Sequence, residues 1–470
     1  MPEFAPNTHQ PISRRHSALF PIVAPRPPGW LVFLASCMGL ALAVTFTGRT
    51  TRGDETASPP NIVLIISDDQ AWTDYSFQKH PAIHTPRLDR LAAESLTFTR
   101  GYVPSSLCCP SLMSIITGLY PHQHRITSND PPLPAGKTGA AANQDVAFRA
   151  ARQQMIANVE RVPTLPRLLA ERGYLSLQTG KWWQGHYQRG GFTHGMSKGD
   201  PDQGGRHGDQ GLQIGRKTMQ PIYDFMDEAQ RQEKPFFIWY APMLPHDPHT
   251  PPERLLKKYR EQTDSIHVAR YWAMVEFFDE TCGQLLDALE QRHLTENTLV
   301  VYVTDNGWIQ DPQQPRFAPR SKQSPYDGGL RTPIMLRWPG KITPQPAPEL
   351  ASSIDLAPTI LKLVGLPPTP EMTGINLLDP AARKARRTIY GECFTHNAVD
   401  IEKPDSSLRW RWIIEDNWKL IVPDPINQPA DQPELFDILM DPHEARNRAA
   451  EQSAEVTMLR GKLDAWWRGR

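Results

Sequence analysis

The segment Asn61-Ile62-Val63-Leu64-Ile65-Ile66-Ser67 is apolar at almost every position and then breaks abruptly into Asp68-Asp69-Gln70. A strand with one face in water alternates polar and apolar side chains. A short continuous apolar run therefore reads as a strand buried on both faces of a parallel sheet. Residues 236–243 and 299–304 read the same way. Between them, Tyr271, Val275, Phe278, Cys282, Leu285 and Leu289 recur every three or four positions from Val268 to Arg292, giving a helix with one apolar face. Buried strands alternating with amphipathic helices predict an α/β fold, with a large, mostly parallel sheet between helical layers.

The 470 residues suffice for one large domain and a smaller one. The polar stretch 48–60 reads as a linker, and the Pro-, Gly- and Thr-rich stretch near 365–380 as a boundary. The expected organisation is a leader and linker (1–60), a catalytic domain (61–370) and a smaller C-terminal α+β subdomain (371–470). The subdomain carries strand-like pieces at Arg411–Glu415 and Trp418–Val422 and a helix-like stretch from Ala454 to Trp467. The run Arg383-Lys384-Ala385-Arg386-Arg387 reads as a solvated loop. With 47 prolines, many connections are expected to be fixed loops.

A formal net charge of zero gives no global field toward polyanions, so no nucleic-acid partner is expected and any anion must be recognised locally. Arg14, Arg15 and Arg26 precede an uncharged apolar run from Trp30 to Thr47. That run fits a signal-peptide core or a membrane anchor, so the N-terminal segment is expected to engage membrane or export machinery. The expected location is periplasmic or extracellular, with residues 30–47 as the anchor if they are retained. Leu34-Ala35-Ser36-Cys37 resembles a lipoprotein box, but the apolar run before Cys37 is very short and continues beyond it, which argues against lipidation. Of the five cysteines, Cys282 and Cys393 read as buried filler.

Two of the apolar runs end in oxygen-rich clusters, Ser67-Asp68-Asp69-Gln70 and Thr304-Asp305-Asn306-Gly307. Sites in open α/β sheets form beyond the carboxyl ends of the strands. Two such strands side by side would point Asp68, Asp69, Asp305 and Asn306 into one space. Four hard oxygen donors suit Ca²⁺ or Mg²⁺ rather than zinc. The competing reading is that each pair only caps a turn or helix. A further cluster, Ser106-Leu107-Cys108-Cys109-Pro110-Ser111, places Pro110 as the expected first helical residue and both cysteines at the helix's positive end, where a nucleophile gains. Adjacent cysteines are equally compatible with a loop.

Cys108-x-Pro110-Ser111 followed by Thr117-Gly118 resembles the signature of type I sulfatases, of the alkaline-phosphatase-like superfamily, in which the cysteine is converted to formylglycine. Other landmarks follow in the family's order: Asp68-Asp69, Gly180-Lys181-Trp182, Pro245-His246-Asp247-Pro248 and Thr304-Asp305-Asn306-Gly307. After these come Lys322 to Gly329, Leu435-Phe436-Asp437 and Asp441-Pro442. The resemblance implies a formylglycine made from Cys108 by a maturation enzyme, and one metal held by Asp68, Asp69, Asp305, Asn306 and the modified Cys108. It implies a hydrated aldehyde that attacks the sulfur of a sulfate ester and later expels sulfate. Lys181 and Lys322 would neutralise charge, His246 would protonate the leaving oxygen, and His249 would line the substrate pocket. A sulfated carbohydrate is the expected substrate.

Two positions depart from that pattern. Leu112 stands where the family carries arginine, a residue that also serves recognition by the common maturation enzyme. Trp183 stands where the family carries a histidine that contacts the diol; His186, His122, His124 and His249 are the candidates to replace it. Competing readings are a phosphoester or phosphonate-ester hydrolase on the same scaffold and a non-catalytic binder of sulfated glycans.

Overall fold

The computed structural model describes residues 59–199 and 209–469. The apolar run 30–47 lies outside them. No helix among the described residues is long and apolar enough to cross a membrane.

The main sheet contains β1 (Asn61–Ser67), β2 (Leu96–Tyr102), β3 (Leu175–Gly180), β4 (His194–Gly195), β5 (Phe236–Ala241), β6 (Thr298–Thr304), β7 (Arg331–Arg337), β8 (Gln345–Ala347) and β9 (Ala351–Ser352). Their order is β4-β3-β5-β1-β6-β7-β2-β8, with β9 also on β2. Only β7 runs against its neighbours; the other pairings are parallel. The most apolar run, β1, takes the centre. Its Ile62, Leu64 and Ile66 enter the core on one face and Val63 and Ile65 the core on the other. Helices cover both faces. Cys108–Thr117 and Leu356–Leu363 belong to the first layer, Gln220–Arg231 and Ile266–Gln291 to the second. The expected helix from Val268 to Arg292 is this last one.

A second, antiparallel sheet comprises β10 (Thr388–Phe394), β11 (Leu408–Glu415), β12 (Trp418–Pro423) and β13 (Glu434–Asp437), in that order. Ile413, Leu420 and Leu435 on one face pack Leu459 and Leu463 of the Ser453–Trp466 helix. Trp412, Ile414, Ile421 and Phe436 on the other face join the core of the main sheet. Cys282 and Cys393 are buried thiols, as expected of filler.

Two local expectations are corrected. The helix after β2 begins at Cys108, so Pro110 is its third residue rather than its first. The first turn of any helix lacks internal acceptors for its N–H groups, so proline is tolerated there beyond the first position. Asn129 Oδ1 accepts from Cys109 N at 2.9 Å, satisfying one of those donors and fixing the earlier start. The basic run is also no solvated loop. Pro380–Ala385 is helical, Arg383 is buried and donates to Leu377 O, and Arg386 pairs with the buried Asp355. Two of the run's charges thus meet buried acceptors, a long-range pairing that local charge patterning does not reveal.

Candidate active site

Every strand that contributes delivers its residues to the same edge of the sheet. β1 and β6 lie side by side with Ser67 opposite Thr304, so Asp68-Asp69 and Asp305-Asn306 leave adjacent strand ends together. Lys181 follows β3, His246 follows β5, and Cys108 opens the helix after β2. Because β7 runs the other way, the loop that precedes it, carrying Lys322, also lies at this edge. Glycines permit two close approaches. Gly180 has φ +73, and a Cβ there would stand 1.9 Å from Ala241 O; it lets Lys181 N donate to that oxygen at 2.6 Å. A Cβ on Gly307 would meet Gly328 O at 2.1 Å, so Asn306 and the Lys322 loop approach only with glycine at 307. Asp69 itself is held at φ 60, a conformation that Asp tolerates better than most residues.

The side chains converge in a buried cluster. Lys181 Nζ donates to both oxygens of Asp68 at 2.8 Å and lies 3.9 Å from Asp305 Oδ2. Lys322 Nζ donates to Asp69 Oδ2 at 2.7 Å, Asn306 Nδ2 donates to Asp69 Oδ1 at 2.6 Å, and His246 Nε2 lies 3.3 Å from Asp69 Oδ2. Asp305 Oδ1 accepts from the backbone N–H of Asp69 and of Asn306. Ligand atoms of Asp68, Asp69, Cys108 and His246 all lie within 4.8 Å of one another.

The charges do not balance. Burial, with Asp68 and Cys108 nearby, pushes Asp305 well above the usual carboxylate range. Burial opposes ionisation of Asp69 too, but Lys322, His246 and Lys181 outweigh it and hold that carboxyl below its ordinary value. The Cys108 thiol shows the same contest: burial raises it, and Lys181 and Lys322 bring it below normal. Burial, outweighing the Gln184 hydrogen bond and Arg152, pushes Cys109 up to about 12. Burial and Lys181 disfavour the charged form of His246, yet Asp68 and Asp69 prevail and raise it to about 10.

Whether these residues suit a divalent cation can be tested on the acceptors. Asp305 Oδ2 and Asn306 Oδ1 are buried and make no hydrogen bond. Unsatisfied buried acceptors are costly in isolation and are what a hard cation requires. The Asp68 and Asp69 carboxylates lie beside them, so the structure brings the four oxygen-bearing residues expected from the sequence to one end of the sheet. His246 belongs to the same cluster, which the reading of oxygen donors alone did not include.

Cys108 opens onto a cavity of about 560 Å³, lined also by His246, Lys322, Trp183, Trp308 and Phe317. Trp183 stands beside Lys181, whose Nζ lies 5.9 Å from the indole centroid. Leu112 is buried in the core. Of the histidines weighed to replace the one absent at 183, none lines this cavity. His122 donates to Glu392, His124 bonds Ser114, and His186 accepts from Gln188 N. His249 packs on Tyr271 and Trp308 and lines an adjoining cavity. Among the described residues, the cavity's second imidazole belongs to His396, on the loop after β10. Its ring bonds Asn397. His396 and Asn129 carry no motif and come from loops placed only by tertiary packing, so the sequence offered no signal for them.

Known proteins resemble this chain in sequence and fold. Human arylsulfatase A is 31% identical over 375 residues, covering 68% of this chain and 67% of that protein. Human N-acetylgalactosamine-6-sulfatase is 30% identical over 361 residues, covering 68% of this chain and 65% of that protein, so the chain spans about two thirds of these relatives. Similar solved structures include one in complex with its substrate D-glucosamine-2-N,6-O-disulfate, with a TM-score of 0.66 and 20% identity, covering 88% of this chain and 98% of that one. The phosphonate monoester hydrolase of Agrobacterium radiobacter shares the fold with a TM-score of 0.64 and 18% identity, covering 86% and 95% of the two chains. The family model described as N-sulphoglucosamine sulphohydrolase, C-terminal, matches residues 320–465. The sulfatase family model matches residues 60–366, from the first strand of the main sheet to the last, and the chain belongs to the sulfatase family.

Proposed function

We propose that this chain is an exported hydrolase of sulfate esters on carbohydrate, with Cys108 as the formylglycine precursor and Asp68, Asp69, Asp305 and Asn306 as ligands to one Ca²⁺ or Mg²⁺. The observation that carries the reading is the pair of unpartnered buried acceptors, Asp305 Oδ2 and Asn306 Oδ1, beside a low-lying Cys108 thiol. When present, the cation polarises the ester and the modified Cys108 supplies the nucleophile.

The chain's own residues do the rest. Lys181 and Lys322 place two ammonium groups against the acids and beside Cys108, where charge on a sulfate group would otherwise go uncompensated. His246 holds a proton on Nδ1, which donates to Asp247 O at 2.6 Å and lies 2.9 Å from Asp247 Oδ1. Its Nε2 faces the cluster and serves as the donor to the leaving oxygen. With a cation held by the carboxylates, His246 would bind its proton less tightly than in the metal-free cluster and so would donate it more readily. Trp183, Trp308 and Phe317 give the cavity flat apolar walls suited to a sugar ring.

Relatives named for N-acetylgalactosamine-6-sulfate, and a neighbouring structure holding a sulfated glucosamine, support a carbohydrate substrate. The phosphonate monoester hydrolase is the runner-up chemistry, supported by fold alone. Coexpression with a formylglycine-generating enzyme, followed by sulfate-release assays on sulfated sugars, aryl sulfates and phosphonate esters, separates the two. Turnover of phosphonates with none of sulfates defeats the proposal.

A further inference from the structure

The cavity in front of Cys108 holds a second imidazole, His396, and with it Asn129. The two residues come from loops far apart in the chain, and hydrogen bonds tie those loops into one piece. Asn129 N donates to His396 O at 3.0 Å, Ala398 N to Asp130 O at 2.8 Å, and Ser128 Oγ to Thr395 O at 2.8 Å. Asn129 Oδ1 in turn accepts from Cys109 N, so the His396 loop is anchored to the first turn of the Cys108 helix. A side chain on so fixed a base loses little freedom when it meets a ligand.

The hydrogen-bonding sense of the ring is fixed as well. Asn397 Nδ2 donates to Pro131 O at 3.0 Å, which leaves the amide oxygen, Oδ1, facing His396 Nδ1 at 2.8 Å. An amide oxygen only accepts, so the proton sits on Nδ1. The Asp130 carboxylate, 3.9 Å from Nδ1, favours the same tautomer, and its own charge is paired with the buried Arg152. Nε2 makes no hydrogen bond among the described residues, and the side chain is 36% exposed. In the neutral ring Nε2 therefore offers a lone pair. Lys322 and His246, in the same cavity, present donors. A sulfate group carries only acceptors and cannot use that lone pair, whereas a sugar hydroxyl or amide N–H can.

We propose that His396 is a specificity-determining residue, whose Nε2 accepts a hydrogen bond from a hydroxyl or amide N–H of the sugar that bears the sulfate. This rests on the sulfatase reading and deepens it: the cavity reads an uncharged donor near the ester as well as the ester itself.

The test is kinetic, at about pH 8, where an imidazole of ordinary affinity (about 6.5) is neutral. Full-length protein with verified formylglycine and Ca²⁺ is given the 6-sulfates of N-acetylgalactosamine and N-acetylglucosamine. It is also given their analogues lacking one ring hydroxyl or the N-acetyl group, and 4-nitrophenyl sulfate, which has no such donor. One of the deletions should raise KM about tenfold with kcat little changed, and that deletion identifies the donor. In His396→Phe, which keeps a flat ring without Nε2, the same deletion should cost no more than about twofold. The intact sugar should there lose about tenfold more in kcat/KM than the aryl sulfate does, whereas a merely structural role would lower both alike. If His396→Phe does not fold, His396→Ala, which trims a part-exposed side chain, gives the same reading. Calorimetric titration of Ca²⁺-loaded Cys108→Ala should show the deletion penalty in Kd without turnover. A penalty that survives in the His396 variant, its absence in the parent, equal losses on sugar and aryl sulfate, or turnover of the aryl sulfate alone overturns the proposal. Release of sulfate from none of the probes defeats the sulfatase reading instead, and the calorimetric penalty then decides the role of His396.

Discussion

Two buried clusters, each of mixed charge, are built differently. One surrounds Lys419 on β12. Its Nζ lies 2.8 Å from Asp327 Oδ1 and 2.7 Å from Glu444 Oε1. Asp327 Oδ2 accepts from Tyr102 OH at 3.0 Å with Arg331 at 3.7 Å, and Asp327 N donates to Glu444 Oε2. Two acids thus meet two cations, and the cluster pins the second sheet to the loop preceding β7. The other cluster sets Asp68, Asp69 and Asp305 against Lys181 and Lys322, and leaves Asp305 Oδ2 and Asn306 Oδ1 with no hydrogen bond. Burial of ions is expensive in both. The balanced cluster recovers much of its cost within the chain, with Glu444 still raised to about 7 by burial; the unbalanced one leaves acceptors that suit the further cation proposed above.

That difference can be broken from either side. The largest effect belongs to the open cluster: chelation should abolish sulfate release, and Ca²⁺ or Mg²⁺ should restore it. Asp68→Ala should lower turnover by roughly a thousandfold or more, since on the proposed reading it strips a metal ligand at the rim of the sheet. Sulfate-release assays on the metal-stripped and reloaded protein check both. Restoration by Zn²⁺ alone would contradict the hard-donor assignment.

In the closed cluster, Lys419→Met should cost about 3–5 kcal/mol of stability, because it leaves two buried carboxylates with only Arg331, 3.7 Å from Asp327, to compensate them. Denaturant unfolding measures this, and the loss should appear equally with and without added Ca²⁺. A loss that Ca²⁺ rescues would mean that the two clusters are not separate in function.

Asp305→Asn sharpens the contrast further by separating function from stability. The Asp305 carboxyl is held well above its ordinary range by burial, Asp68 and Cys108, so it burdens the metal-free fold. Asparagine keeps an oxygen for the two backbone N–H groups that Oδ1 now serves. The metal-free variant should therefore melt higher than the parent, by about 1 kcal/mol, while losing both turnover and the stabilisation by Ca²⁺. A variant that melts lower in the metal-free state would support the turn-capping reading of Asp305.

How much of this was legible in the sequence depends on the range over which each feature is determined. The β1 run and its Asp68-Asp69 end were readable because burial on both faces leaves no alternation and sites gather at strand ends. The register that sets Ser67 beside Thr304 carried that reading to Asp305 and Asn306. The start of the Cys108 helix was misread because Asn129, twenty residues on, supplies the acceptor that lengthens it. Arg386 was misread because its partner Asp355 lies in a different element. His396 escaped because nothing local marks a loop histidine whose position is set by the second sheet. Motif residues near strand ends were legible; their loop neighbours were not.

The smallest expected effect falls on Cys109, adjacent to the site in sequence but not in space. Its backbone N–H is bound by Asn129, and its sulfur accepts from Gln184 Nε2 at 3.2 Å. Burial raises its thiol to about 12, whereas Lys181 and Lys322 hold the Cys108 thiol low. Neighbouring side chains on a helix diverge by roughly 100°, so a group at 109 would not meet the Cys108 cluster. Cys109→Ser keeps an acceptor for Gln184 at little change of volume and should cost less than about 1.5 kcal/mol. Turnover should stay within about threefold of the parent, whereas Cys108→Ala should have none. Peptide mass spectrometry across residues 101–125 reads the outcome directly: the aldehyde should appear at Cys108 in both the parent and Cys109→Ser. Leu112 sets the condition, since a maturation enzyme that requires arginine there would leave the thiol in place, so conversion should be tried in more than one host. Conversion at Cys109 with Cys108 untouched would overturn the assignment of the nucleophile. Retention of both thiols in every host would favour the non-catalytic glycan binder.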